Sequence, residues 1–380
     1  MQRLLVFRGA SSVLGRCAVM IWCSKSMGNI MKAAHFTGLR ELSICEVPEP
    51  RLTHPDWVLV RIDRVGVCGS DVHYYTEGGI GDQILHYPAS VGHECSGTIV
   101  AIGANVASLK VGDRVAIDPA ISCGKCDQCR SGRPNTCRKL QFLGSPGEAP
   151  GALAEFGVLP AENCFLVPET LSLDQAALAE PLSIGLHAVR LADLRPGVRF
   201  AITGAGPIGL SVLLCAKALV EGTAYVTDRL DSRLATARQC GAHWTANAGR
   251  DDVAAAIAER EPYGLDVVFE CSGDMACVDQ AMTLLAPGGT LVLVGIPSQR
   301  RVSFDIHVMR RKELTFKNVR RQRHCLAQVV ELIAAGRIDP DPLLTHHFPL
   351  ERIREAFELV AAYRDGVIKA VVDVSAAELM

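Results

Sequence analysis

The sequence predicts an α/β protein in two parts: a β-rich body, then a doubly wound parallel sheet flanked by helices. Three observations predict it. Short apolar runs closed by glycine crowd residues 31–168. From about residue 196, strand-like and helix-like segments alternate, the grammar of a parallel sheet with helices on both faces. A Gly-x-Gly-x-x-Gly turn, Gly204 to Gly209, stands where the first strand of that second part meets its first helix. The 380 residues suit two domains of ~100–200 residues each.

In chain order, residues 1–30 stand apart. Arg3, Arg8, Arg16 and Lys25 are basic, and no Asp or Glu precedes Glu41. A transit peptide has this composition, and a signal peptide has a similar basic start. The plainer reading is an upstream start, with the folded body opening near Met31. Residues 57–67 alternate apolar and polar in part, as a half-buried strand does. Residues 97–103 are an apolar run closed by glycine, and 111–117 turn into a strand. Strands this short and close suggest a small barrel or sandwich. In the second part, a strand at 198–203 precedes the glycine turn, and a helix follows at 210–220. A strand at 224–228 and a helix at 232–240 come next, then strands at 243–247, 266–270, 290–295 and 314–319. Two amphipathic helices, 325–335 and 350–362, and a strand at 370–374 close the chain.

Composition narrows the function. The chain is 49% hydrophobic and 21% charged, with a formal net charge of −2. No basic surplus points to nucleic acid or an anionic membrane, and no apolar run approaches the ~18 residues that span a bilayer. The 15 cysteines are an odd number without a convincing secretion signal, which disfavours a disulfide framework. A metal site in a reducing compartment, the cytoplasm, is expected instead.

The strongest local signal is Cys123-Gly-Lys-Cys126-Asp-Gln-Cys129, with Cys137 following. Four thiolates on one small loop match tetrahedral zinc; an iron–sulfur cluster is the rival, and unliganded surface thiols the plain alternative. Four cysteines leave no open position, so this metal would be structural. A second set comprises Cys68, His93 and Glu94, with Glu180 in Ala179-Glu-Pro-Leu-Ser-Ile-Gly185 able to complete a zinc site. Spacing alone leaves these as readily packing or surface residues. The third is the glycine turn. Gly204, Gly206 and Gly209 permit a tight turn and close approach to a pyrophosphate, which the helix N-terminus then faces. Asp228, ending the next strand, can accept hydrogen bonds from ribose hydroxyls and repel a 2′-phosphate, so NAD is favoured over NADP; Arg229 beside it argues the other way.

Together with Cys68-Gly-Ser-Asp-Val-His-Tyr74, Val91-Gly-His-Glu94 and Gly112-Asp-Arg-Val115, these motifs resemble the zinc-containing medium-chain dehydrogenases. The nearest likeness is to sorbitol (L-iditol 2-) dehydrogenases and related polyol and sugar-acid dehydrogenases. The resemblance implies a GroES-like catalytic domain at 31–182 after an extension at 1–30, a Rossmann NAD-binding domain at 183–324, and a return to the catalytic domain at 325–380. It implies Cys68, His93 and Glu94 as ligands of a catalytic zinc, with Glu180 beside the metal, through water or in place of a ligand. Ser70 and His73 match positions linked to proton transfer, and Tyr74 a substrate contact. Pro207, Ile208, Asp228, Arg233 and the turn Gly295, Ile296, Pro297 match positions lining NAD. The implied activity is oxidation of a secondary alcohol of a small polyol or sugar acid, with hydride passing to NAD, in a homotetramer or homodimer.

The chain departs from that pattern at Arg320-Arg-Gln-Arg323, where sorbitol dehydrogenases carry Phe-Arg-Tyr. Arg321 matches the family arginine, while Arg320 and Gln322 replace aromatics. A guanidinium pairs well with carboxylate, so Arg320 together with Arg321 raises a sugar-acid substrate. The other readings of Arg320 are NAD pyrophosphate or solvent. Two alternative functions stand beside the dehydrogenase: a catalytically silent NAD-binding relative, and quinone or enoyl reduction without zinc.

Overall fold

The computed structural model describes residues 29–375. The expectations for the basic N-terminal stretch fall outside the described residues.

The second part of the chain forms a six-stranded parallel sheet. Across it the strands run Trp244–Asn247, Gly222–Asp228, Val198–Thr203, Leu265–Glu270, Leu285–Leu293 and Thr315–Asn318. The first strand in sequence therefore lies third in space, and the order reverses between it and Leu265–Glu270. A crevice opens at such a switch point, outside the carboxyl ends of the strands. Val198–Thr203 is buried along almost its whole length, as a central strand covered on both faces must be. The helix after it, Pro207–Leu219, starts earlier than the apolar periodicity suggests. Proline's fixed φ suits the first helical position, and its missing N–H costs nothing there. The strand expected at 290–295 begins at Leu285, with a register shift against its neighbour.

The body before it is a seven-stranded mixed sheet, with a smaller three-stranded sheet of Glu41–Pro48, Ile30–Gly38 and Ala89–Ser90. The central strand Trp57–Gly66 pairs on one side with Glu94–Ile102. On its other side Phe156–Pro160 takes the first half and the C-terminal strand Lys369–Asp373 takes the second. The end of the chain thus returns to the body it left, and Val371 pairs with Gly66.

Helix Ala179–Ala192 joins the two parts. Leu182 and Leu186 are fully buried in one apolar core that also takes in Leu171, Phe200, Ile202, Leu210 and Leu213. Burying each such leucine contributes about 1.5–3 kcal/mol. Its Gly185 lets helix Pro207–Leu219 approach closely: a Cβ there would lie 2.5 Å from the Ser211 backbone. Among the described residues no helix is long and apolar enough to cross a membrane.

Candidate active site

Cys68 caps the N-terminus of helix Gly69–Glu77, where the helix dipole favours an anion. His93 and Glu94 enter the strand that pairs with Trp57–Gly66, and the register sets Glu94 opposite Gly66. A Cβ at Gly66 would stand 2.3 Å from Glu94 Oε2, so a side chain there would push this carboxylate from its place. One donor atom each from Cys68, His93 and Glu94 lie within 4.8 Å of one another. Glu180, in the first turn of Ala179–Ala192, is buried within electrostatic reach of His93 and Glu94.

Two further residues shape this cluster. Lys369 Nζ donates to both Glu94 oxygens, at 2.7 and 2.6 Å, and to the Val67 carbonyl at 3.1 Å. Both side chains of that pair are 1% exposed. Asp71 Oδ1 stands 3.4 Å from His93 Nδ1, which leaves Nε2 as the ring nitrogen free for a ligand. Neither residue is among those expected from the sequence. Asp71 was inside a quoted motif, and Lys369 is a lone lysine in Val367-Ile-Lys-Ala-Val-Val372. A charge inside an apolar strand is itself a signal, because a lysine is rarely buried unless paired.

The electrostatics are those of a place built for a cation. Burial pushes the His93 imidazole down, but Asp71 and Cys68 outweigh it and hold its pKa well above the ordinary value. Burial pushes the Glu180 carboxyl up, assisted by Glu94 and Asp118 against the pull of His93 and Lys369. Among the described residues, both Asp71 oxygens are buried without a hydrogen-bond partner. One thiol, one imidazole and a surplus of carboxylates over cations suit a divalent zinc.

The other expected side chains spread outward. Ser70 Oγ lies 3.2 Å from Cys68 Sγ. His73, one turn further along the same helix, pairs with Glu77 at 3.0 Å and is 35% exposed. Tyr74 is buried, and its hydroxyl donates to Gln83 Oε1 at 3.3 Å. Arg321 is largely buried, with its guanidinium over the Phe142 ring, which in turn packs on His93. Arg320, expected with it at the substrate, is exposed; its carbonyl accepts from Asn135 Nδ2, and the fold does not bring its side chain into the cluster. Gln322 turns inward, donating to Asp118 and accepting from the Cys325 N–H.

At the switch point, Gly204 turns at φ 92°, and a Cβ there would meet Ser272 N at 2.9 Å. A Cβ on Gly209 would overlap the Gly204 carbonyl at 1.8 Å. Gly206 caps the helix, with Pro207 and Ile208 in its first turn. The Asp228 carboxylate accepts from the Ala205 and Leu230 N–H groups at 2.7 and 2.9 Å. Arg229 turns away to Asp274, at 2.8 Å, whereas Arg233 reaches to 3.9 Å from Asp228. Gly295 packs closely on Gly273, and Ile296 is left exposed beside Pro297. A backbone cradle with bare glycines and a carboxylate at the strand end suits a dinucleotide.

Cys123, Cys126, Cys129 and Cys137 converge on a separate lobe, their sulfurs within 4.8 Å of one another. The Cys126 sulfur stands 3.5 Å from that of Cys129 and 3.8 Å from that of Cys137. A tetrahedron with zinc–sulfur bonds of ~2.3 Å has edges of roughly 3.8 Å. N–H groups of Arg138 and Cys129 lower the Cys126 thiol to about 6, toward the thiolate that binds metal.

Residues 54–169 match the alcohol dehydrogenase GroES-like domain, and residues 207–335 the zinc-binding dehydrogenase domain. The chain is 37% identical to a sorbitol dehydrogenase of Bacillus subtilis (strain 168), over 90% of this chain and 97% of that protein. It is 36% identical to an L-idonate 5-dehydrogenase of Vitis vinifera, over 89% and 93%. A solved alcohol dehydrogenase from Escherichia coli CFT073, complexed with NADH, superposes with a TM-score of 0.84 at 30% identity, covering 91% of this chain and all of that one (100%). The chain belongs to the zinc-binding medium-chain alcohol dehydrogenases, with their GroES-like and Rossmann parts.

Proposed function

We propose that this enzyme oxidises a secondary alcohol of a polyol or sugar acid to the ketone, passing hydride to NAD. The observation that carries this reading is the convergence of Cys68, His93 and Glu94 in a buried cluster, with Glu180 beside them. Cys68, His93 and Glu94 would hold the zinc, Glu180 would adjoin it, and the four cysteines would hold a second, structural ion. Bound there, the zinc supplies the Lewis acidity that makes an alcohol hydroxyl acidic near neutral pH, and the nicotinamide supplies the hydride acceptor.

The chain's own residues align, shield and carry the proton. Asp71 keeps the His93 ring oriented, and Lys369 holds the Glu94 carboxylate in place. Ser70, beside Cys68, accepts the alcohol proton as it gives up its own toward His73, which lies one turn along the same helix, is partly exposed and releases a proton to solvent. Tyr74 and Arg321 hold the substrate's other oxygens. Gly204, Gly206 and the helix start bind the pyrophosphate, aided by Arg233. Asp228 holds the ribose, and the pairing of Arg229 with Asp274 draws that cation away from a 2′-phosphate.

The test is elemental analysis of the purified protein with a polyol and aldonate panel in NAD and NADP. Two zinc ions per chain, as the two donor groups require, and NADH production are expected. Asp228→Ala should weaken NAD about tenfold, the loss of a charge-assisted hydrogen bond, and narrow its advantage over NADP. One zinc or none overturns the two-site assignment. Equal use of NADP by the wild type overturns the role given to Asp228.

A further inference from the structure

Of the two arginines 320 and 321, the fold turns Arg321 into the site, and it does so at a cost. Its backbone sits at φ 53°, a region that non-glycine residues occupy only when the surroundings impose it. The side chain is 10% exposed, and burial, more than the neighbouring Arg320, lowers its pKa to about 10. Its guanidinium carbon lies 3.7 Å from the centre of the Phe142 ring. Arg321 Nη2 faces Glu148 Oε2 at 3.9 Å, too far for a hydrogen bond. Among the described residues, Arg321 Nη1 and Glu148 Oε2 are each buried without a hydrogen-bond partner. The other Glu148 oxygen accepts from Gln83 Nε2 at 3.3 Å, and Gln83 holds the Tyr74 hydroxyl. Tyr74, Gln83, Glu148 and Arg321 form a polar wall beside His93.

That wall offers an unfilled donor next to an unfilled acceptor. A hydroxyl group is both donor and acceptor, so it satisfies the pair. A carboxylate is acceptor only: it meets Arg321 but also faces the Glu148 charge. On the reading of this cluster as the hydride-transfer site, we infer that Glu148 is the specificity-determining residue that makes the Arg321 pocket select a neutral polyol over the matching sugar acid. Glu148 is an internal counter-charge. With it the wall carries no net charge, and without it a buried guanidinium stands open to a carboxylate.

The experiment compares kcat/KM for a polyol and the aldonate of the same configuration in wild type, Glu148→Gln and Glu148→Gln/Arg321→Met. Glutamine keeps the shape and an oxygen for Gln83. The wild type should prefer the polyol. Glu148→Gln should shift the ratio toward the aldonate by about tenfold to a hundredfold, the range of one charge-assisted hydrogen bond. The double variant should lose that shift. Titration of both compounds into zinc-loaded enzyme saturated with NADH, followed by calorimetry, gives the same ratio without turnover. A wild type that prefers the aldonate, or a ratio unmoved in Glu148→Gln, overturns the inference. A binding ratio that shifts in an enzyme oxidising neither compound supports the role of Glu148 and overturns the proposed reaction instead.

Discussion

Two groups of cysteine-bearing side chains in this molecule are assembled in opposite ways. The lobe of Cys123, Cys126, Cys129 and Cys137 comes from one short stretch of chain, its first three cysteines partly exposed, with sulfur the donor from each. Its geometry is held locally: Arg138 forks onto Asp127 at 2.5 and 2.8 Å, and N–H groups of Cys123 and Lys139 reach the Cys137 sulfur at 3.3 Å. The cluster around Cys68 draws on four distant segments, and it is lined with buried charges. Lys369 clamps Glu94, Asp71 backs His93, and Glu180 adjoins both. Four like donors close a coordination shell and leave nothing for a substrate. A mixed set of three leaves a position open, which is what catalysis needs. A hydrogen bond ties the lobe to the loop that presents Arg321: Asn135 donates to the Arg320 carbonyl at 2.9 Å.

That contrast can be broken from either side. Cys68→Ser should have the largest effect: a fall in kcat/KM of roughly 10³-fold, since several kcal/mol of transition-state stabilisation go with the metal. Its melting temperature should stay near that of the wild type, with one zinc per chain left in the lobe. If zinc content is unchanged, Cys68 is not a ligand. Next is Lys369→Met. It leaves Glu94 buried without its partner, and unfolding in urea should show a loss of about 3–5 kcal/mol, while Lys369→Arg recovers much of it. A stable Lys369→Met protein would show that the clamp carries no weight.

Smaller changes sharpen the division of labour. Cys126→Ser should lower the melting temperature and empty the lobe of zinc, because the lobe loses a ligand that holds it folded. Turnover per zinc-loaded active site should stay within about threefold, as for a change remote from the chemistry. A collapse of turnover in stable protein would mean that the lobe acts through Asn135 and the Arg320 loop. Smallest is Arg320→Phe, whose side chain is exposed. It should change kcat/KM for polyol and aldonate alike, by less than about threefold. A loss on the aldonate alone would restore Arg320 as the carboxylate partner.

How much could be read beforehand followed from how local each feature is. The lobe and the glycine turn were legible as written, because their spacing is their geometry. A tight turn needs Gly204, Gly206 and Gly209 in that order, and a small loop brings four sulfurs together. The strands at 198–203 and 224–228 were legible from their apolar runs, whereas the start of the helix was missed by a few residues because Pro207 carries no hydrophobic signal. The Arg320–Arg323 run was visible, but not which arginine turned inward. That choice rests on the left-handed backbone at Arg321 and on the packing of Gln322 against Asp118, neither of which has a local pattern.

By itself, the sequence determined the two-part α/β architecture, the four-cysteine lobe and the dinucleotide turn, because each is written in short-range spacing and periodicity. It offered Cys68, His93, Glu94 and Glu180 as candidates only. The tertiary structure decided that the first three meet, and it did so through strand register: pairing Trp57–Gly66 with Glu94–Ile102 on one side and Lys369–Asp373 on the other brings Glu94 to Lys369. It also decided that Glu148 faces Arg321. Charges far apart in the chain acquire a role only when burial removes the water between them and leaves each as the other's nearest counter-charge.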